Sequence, residues 1–272
     1  MIVFPNCKIN LGLYILRKRA DGFHDLETVF YPLPLQDALE IIQNPSPAAP
    51  VEFTTSGLVI DSSMEANICV RAYRLLKNDF PDLPSIKMHL HKVLPAGAGL
   101  GGGSSDGAFT LRLLNKRFDL GLNEEQLIKY ALQLGSDCPF FIRNKPCLAT
   151  GRGENLEEIG IDLSSYKIVL INPGVHIPTG HAFSKCIPSD QRTGIRETVN
   201  RPVEEWKNGL KNDFEETVFA QYPEIKIIKE RLYDLGATYA SMSGSGSSVY
   251  GIFEKNTPLK TGFPAHYFVK EL

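Results

Sequence analysis

The sequence predicts a two-domain α+β protein. Three observations carry that reading: a length of 272 residues, strand-like and helix-like segments in irregular succession, and glycines crowded into one short run. At about 150 residues per domain the length corresponds to two domains, and we place the boundary near residue 155, giving 1–155 and 156–272. The absence of regular βα alternation argues against a doubly wound sheet. Apolar residues make up 43% and charged residues 22%, which excludes a disordered chain or a coiled coil. With 29 basic and 31 acidic side chains the net charge is −2, no electrostatic footprint for a nucleic-acid partner. The five cysteines are scattered and form no C-x-x-C pair, the pattern of free thiols in a reducing cytosol. No signal peptide is visible, and no apolar stretch approaches the roughly 18 residues of a membrane span. The expectation is a soluble cytoplasmic protein, monomer or homodimer.

Residues 7–15 (CKINLGLYI) alternate with period two. Cys7, Ile9, Leu11, Leu13 and Ile15 share one face, and Lys8, Asn10, Gly12 and Tyr14 the other, as in a half-buried strand. An Asp-Gly turn at 21–22 leads to a second strand, LETVFYPL. Further strands are expected at 38–42 and 51–55, joined by the proline-rich loop 45–50. Ile68, Ala72, Leu75 and Leu76 have helical spacing over 67–76. Ile86, Met88 and Leu90 then alternate with Lys87, His89 and His91 in a strand, and the two histidines read as solvated strand polarity. That strand runs into PAGAGLGGGSSDGA, and the helical segment FTLRLLN follows. A second helix spans 122–134, with Gly135 as its stop. In the second half, a strand over 167–171 ends at Asn-Pro-Gly. Helices follow around 203–210 and 213–221, Trp206 being a packing residue. A third helix starts after Pro223, at a first-turn position proline tolerates, and runs to 235–236. Two strands flank the turn SGSGSS, and a terminal strand lies near 266–269.

Six of the 23 glycines fall within residues 97–107, between an alternating strand and a helix. A flexible linker rarely sits there. Residues 97–102 formally match G-x-G-x-x-G, but the surrounding βαβ units of a dinucleotide fold are missing. A Walker loop needs Gly-Lys-Ser/Thr, and Gly103-Ser104-Ser105 has no lysine. The protein-kinase glycine loop also fails, since neither HRD nor DFG follows. What remains is their shared physics, backbone N–H groups converging on an anion at a helix N-terminus. Ser104, Ser105 and Asp106 are expected to cap that helix, Asp106 pointing into its N-terminus, with a serine hydroxyl available to phosphate or magnesium.

PAGAGLGGGSSDGA resembles the P-x-x-x-G-L-G-G-S-S loop of the GHMP kinases. PNCKINLGL, RADGFHDLETVF, LGSDCPFF, GRGE, NPGVHIPT and SMSGSGSSVYGIF extend the resemblance over nearly the whole chain. It implies an N-terminal ATP-binding domain, a C-terminal ferredoxin-like α/β sandwich, and dependence on ATP and Mg²⁺. It further implies phosphorylation of the 2-hydroxyl of a cytidine-diphosphate-linked methylerythritol, in isoprenoid precursor synthesis by the non-mevalonate route. ATP would meet Pro95, Ala96, Gly97, Ala98, Gly99, Leu100, Gly101, Gly102, Gly103, Ser104 and Ser105, with Asn67 near the adenine. Asp137 is similar to the family's catalytic base and Lys8 to its partner lysine. Phosphoryl transfer has a loose transition state, so positioning and electrostatics outweigh base strength. Phe23 and His24 match a pair that stacks on and hydrogen-bonds cytosine, and Phe183 the second aromatic. Asn10 and Thr179 match polar contacts to the sugar or diphosphate. Against these stand plainer roles: Asp137 as a helix cap, Lys8 on a solvated strand face, Phe23 as a turn hydrophobe, Phe183 in a core. The rival activities are a homoserine- or mevalonate-type kinase, which has no use for a cytosine set, and a non-catalytic nucleotide-binding regulator, which has no use for Lys8 and Asp137.

Overall fold

The computed structural model describes residues 1–45, 47–60 and 63–272, so Ser46 of the expected proline-rich loop lies outside the described residues. In chain order the elements are β1 (Ile2–Val3), β2 (Asn6–Lys18), β3 (His24–Gln36), β4 (Ala38–Gln43), β5 (Val51–Gly57), α1 (Ile68–Asp79) and β6 (Ile86–Lys92). After the glycine run come α2 (Gly102–Arg117), α3 (Glu124–Leu134), α4 (Cys138–Arg143), β7 (Cys147–Gly151), β8 (Asn155–Glu158) and β9 (Tyr166–Asn172). The remainder comprises α5 (Thr179–Lys185), α6 (Ile195–Val199), α7 (Val203–Gly209), α8 (Phe214–Gln221), α9 (Pro223–Asp234), β10 (Tyr239–Met242), β11 (Val249–Glu254) and β12 (Phe268–Glu271). No helix among the described residues is long and apolar enough to cross a membrane.

Packing divides the chain into two compact units, neither continuous in sequence. The first holds Met1–Cys7, Pro34–Ala96 and Gly101–Lys145; the second holds Lys8–Leu33, Gly97–Leu100 and Pro146–Leu272. This is a grouping by contact rather than a cut in the chain.

In the first unit a sheet of order β1-β4-β6-β5 is antiparallel except for the β5–β6 pair. The alternation of Ile86, Met88 and Leu90 puts all three on its buried face. Helix α1 forms as the apolar spacing predicts, burying Cys69, Val70, Ala72, Tyr73 and Leu76, and it packs against α2 and α3. Its cap is Asn67, whose side-chain oxygen accepts from Cys69 N at 2.9 Å. Helix α2 buries Leu111 and Leu114 completely, each a gain of about 1.5–3 kcal/mol over exposure. It begins at Gly102, seven residues before the predicted helical run. Helix α3 starts with a capping box between Asn123 and Gln126.

The second unit contains two sheets, of orders β2-β3-β7-β8 and β10-β11-β9-β12. Pro32 and Pro34 are tolerated in β3 because its ladder with β7 ends at Phe30. The other sheet has the strand order of a ferredoxin-like sandwich and is antiparallel throughout, although its last connection, 255–267, runs without a helix. Leu13, Ile15 and Leu26 join Val169, Phe214, Leu232 and Phe253 in one apolar core. Trp206 packs as expected, its ring edge-on to Tyr239 at 5.7 Å and its N–H donating to Arg201 O.

One expectation fails here. Strand β2 is not half-buried: its residues from Asn6 to Leu13 are buried on both faces, Lys8 and Asn10 included. Period two identifies a strand with two chemically different faces, and a polar face is covered wherever polar neighbours receive it. Elements β1, β7, β8 and α6 lie outside the sequence expectations, being too short to show a period, and α5 lies outside them too.

Candidate active site

The glycine run is built from three backbone positions in the left-handed region, Gly97, Gly99 and Gly101. At Gly99 a Cβ would lie 2.0 Å from the Ser243 carbonyl oxygen, so this glycine is demanded by the turn 243–248 packed on it. Ser243 Oγ donates to Gly99 O at 2.8 Å, and Ser248 N donates to Ala98 O at 3.2 Å. Leu100 O accepts from Lys8 N at 3.0 Å. Ala98 and Leu100 bury their side chains, whereas Ala96, Gly97 and Gly103 are exposed and Pro95 and Gly101 half-exposed. A Cβ at Gly103 would meet nothing within 4 Å, which leaves its backbone open to a ligand.

The helix cap differs from expectation. Gly101, in the left-handed conformation, occupies the N-cap of α2, and no side chain caps it. Ser104, Ser105 and Asp106 lie inside the helix because it starts two residues before Ser104. Ser105 is sealed, its Oγ buried without a hydrogen-bond partner among the described residues, while Ser104 is half-exposed. Asp106 does not point into the helix N-terminus. Its Oδ2 accepts from Lys92 Nζ at 2.7 Å, and the same ammonium donates to Asp37 Oδ2 at 2.5 Å, all three side chains being buried. Asp37 Oδ1 accepts from the N–H groups of Val93 and Leu94 at 2.6 and 2.8 Å. One buried cluster therefore holds the chain both before and after the glycine run. Burial pushes the Asp106 carboxyl up to about 7 against the opposing pull of Lys92. Burial also works against the Lys92 ammonium, but Asp106 and Asp37 outweigh it and hold its pKa above the ordinary lysine value. The sequence carried a usable signal: Lys92 continues the buried alternation of Ile86, Met88 and Leu90.

Lys8 is 3% exposed, which removes the solvated strand face as an account of it. Its Nζ donates to Asn10 Oδ1 at 2.6 Å and lies 4.8 Å from the centre of the Phe30 ring. A buried ammonium costs several kcal/mol unless acceptors and neighbouring charge compensate it. Asp137 stands at the N-cap position of α4, half-buried, and its side chain makes no capping hydrogen bond. The neighbouring Cys138 is buried, and its thiol is pushed up to about 12, so it is no thiolate nucleophile.

All five predicted substrate residues, Asn10, Phe23, His24, Thr179 and Phe183, belong to the second unit. Phe23 is 51% exposed beside the Asp21-Gly22 turn, whose Asp21 Oδ1 accepts from Phe23 N at 3.1 Å. The Arg152 guanidinium covers one face of Phe23, 4.0 Å from its centre. His24 stacks on Phe183 with centroids 5.1 Å apart and planes 20° from parallel. Burial, and then the Lys18 charge, hold the His24 imidazole below its usual pKa, so it is neutral at pH 7. Phe183 also meets Phe214 edge-on at 4.8 Å, which joins the ring to the core. Thr179, at the start of α5, shares a hydrogen bond with Ser245 at 3.1 Å. A cavity of about 500 Å³ opens beside the end of β2, lined by Arg17, Arg19, Asp25 and Asp190 and not by Phe23, His24 or Phe183. His89 and His91 bond to the hydroxyls of Thr54 and Ser56.

Family models agree with this architecture. One described as GHMP kinases N terminal domain matches residues 67–145, and one described as GHMP kinases C terminal matches 195–261. The 4-diphosphocytidyl-2-C-methyl-D-erythritol kinase of Bacteroides fragilis is 53% identical over 254 residues, 93% of this chain and 92% of that protein. The protein of the same name from Azobacteroides pseudotrichonymphae is 49% identical over 272 residues, 99% of this chain and 100% of that one. Among solved structures, a 4-(cytidine 5'-diphospho)-2C-methyl-D-erythritol kinase aligns with a TM-score of 0.81 at 29% identity, covering 94% of this chain and 91% of the other.

Proposed function

The chain belongs to the GHMP kinases, and on that premise we propose that it phosphorylates the 2-hydroxyl of 4-diphosphocytidyl-2-C-methyl-D-erythritol with ATP, in isoprenoid biosynthesis. The substrate rests on identity of 53% over nearly the full chain to a kinase of that name. The residue roles rest on one observation above the others, the burial of Lys8 with its ammonium ordered by Asn10.

Asp137 accepts the proton of the 2-hydroxyl as that oxygen attacks the γ-phosphorus, giving the 2-phosphate and ADP. Lys8 offsets the negative charge that develops on the attacking oxygen. Asp137 stands half-exposed at the N-cap position of α4, which supports this role. Backbone N–H groups of 95–105 hold the phosphates, with the open Gly103 as the nearest approach. Asn67 uses its carbonyl end on α1 and offers its amide nitrogen toward the adenine. Phe23 and Phe183 provide faces for cytosine, the neutral His24 hydrogen-bonds its edge, and Thr179 and Asn10 serve the sugar–diphosphate side.

Magnesium suits the donor set. It takes few protein oxygens beside those of phosphate, and Ser104 offers a half-exposed hydroxyl where Ser105 is sealed and Asp106 is held by Lys92. When bound with ATP, Mg²⁺ neutralises phosphate charge. We keep the linear boundary near residue 155, which falls between the matched segments 67–145 and 195–261. A soluble cytoplasmic monomer or homodimer with no nucleic-acid partner fits the composition.

A coupled assay of ADP release tests this reading. The cytidine-linked alcohol gives turnover, whereas homoserine and mevalonate do not. The reverse result removes the substrate assignment, and no turnover with any of the three favours a nucleotide-binding regulator.

A further inference from the structure

Asn10 is 1% exposed in β2, and the two ends of its side-chain amide meet different partners. Its Oδ1 accepts from Lys8 Nζ at 2.6 Å, and its Nδ2 donates to Thr28 Oγ1 at 2.9 Å. The two ends of an amide have nearly the same shape, so hydrogen-bond polarity, not shape, chooses between them. Thr28, buried in β3, makes that choice. Its one hydroxyl proton goes to the carbonyl oxygen of Gly12 at 2.5 Å, a group that can only accept. Thr28 therefore presents lone pairs to Asn10, and only the amide NH₂ can face it. The carbonyl end is left turned toward Lys8. With the amide reversed, two acceptors would oppose each other at Thr28 and two donors at Lys8, in a place closed to water.

The surroundings hold the same register. Ser243 gives its proton to Gly99 O at 2.8 Å and accepts from Asn10 N at 3.2 Å, and Tyr250 Oη donates to Asn10 O at 2.8 Å. Gly12, which receives the Thr28 proton, has φ of 70°, and a Cβ there would lie 2.5 Å from Leu210 Cδ1. The acceptor at the end of the relay is thus fixed by a position that only glycine fits.

We infer that Thr28 is a positioning residue for phosphoryl transfer: acting through Asn10, it holds the Lys8 ammonium in one orientation. The inference deepens the proposed function and rests on the placing of Lys8 in the catalytic machinery. A lysine is a compact charge on a flexible four-carbon stem, and reacting groups must be held to within about 0.5 Å of their working positions. Thr28, 1% exposed and outside the proposed substrate set, supplies that constraint through Asn10.

Steady-state kinetics of Thr28→Val, Thr28→Ser and Lys8→Met, with the Thr28→Val/Lys8→Met double variant, test it. Thr28→Val is expected to lower kcat about tenfold while the KM for ATP changes less than about twofold. Thr28→Ser keeps the hydroxyl and returns kcat to within about threefold of the parent. In the Lys8→Met background, Thr28→Val lowers kcat no further, since its effect on the chemical step passes through Lys8. An unchanged kcat in Thr28→Val, or the same loss with and without Lys8, overturns the inference while leaving the role of Lys8 standing. Full activity in Lys8→Met overturns the role of Lys8 and the inference with it. Thr28→Ala carries the same expectations and replaces Thr28→Val if the valine variant does not fold.

Discussion

Asp137 shows how a residue type at the right spacing still needs its surroundings to be interpreted. The string LGSDCPFF fits a helix cap as well as a catalytic base, and Asp137 does stand at the N-cap position of α4. A capping aspartate accepts a hydrogen bond from the N–H two or three residues on, and this one does not. Asp137→Asn is therefore expected to fold normally and keep the KM for both substrates within about threefold. Its kcat falls about 10²- to 10⁴-fold, the usual worth of a general base. An asparagine variant with the parental kcat takes proton transfer away from this residue. Lys8, Asn10 and Phe23 were legible because motif and alternation point to them. Thr28 and Asp37 were not, and for Lys92 the alternation of 86–90 signals burial but not its partners, Asp37 lying 55 residues away. No local period encodes a contact at that range.

Helix α2 makes the same point one scale up. Its first turn, Gly-Gly-Ser-Ser, has poor helix propensity, which is why the sequence places the helix only from Phe109. Tertiary contacts override propensity here, since Gly101 supplies the left-handed start and Lys92 holds Asp106 within the second turn. Helix α5 escaped notice for a different reason: it has one buried residue, Ala182, and no stripe to detect. The buried cluster gives α2 a pH signature. The Asp106 carboxyl titrates near 7 in the folded chain against an ordinary value of 3.8. Between these values the folded chain holds a proton that the unfolded chain has lost. Its contribution to stability therefore falls as pH rises from about 4 to about 7, and is level above that. Asp106→Asn, neutral at every pH, is expected to flatten that part of the profile, so its unfolding midpoint declines less between pH 5 and pH 8 than the parent's. Parallel declines in denaturant titrations at both pH values exclude Asp106 as the source.

For the molecule as a whole, the α+β class and the order of its main elements were legible from hydrophobic period and turn residues. The interleaving of the two packing units was not. Periodicity assigns a face to each strand but not the sheet it joins. The near-neutral charge of −2 also gains meaning at this scale. With no net positive charge to draw on, the proposed function calls for backbone dipoles and a few placed cations to hold its anionic substrates. Binding should therefore register as stability: ATP at about 100 times its Kd adds about 2.7 kcal/mol. That raises the unfolding midpoint by about 5 °C for a chain of this size. Thermal unfolding with and without Mg²⁺-ATP checks this, and an unmoved midpoint argues against a nucleotide site in the folded chain.

The hydrogen bond from Tyr250 to Asn10 joins residues 240 positions apart, and the core around Leu13 and Ile15 includes Phe253. A ribosome adding about 5–20 residues per second takes roughly 12–48 s to cover that distance. During that interval the apolar face of β2 waits for the later members of its core, Phe253 among them. The strand that carries Lys8 is thus among the first to be made, and its enclosure is complete only when the last strands of its core exist.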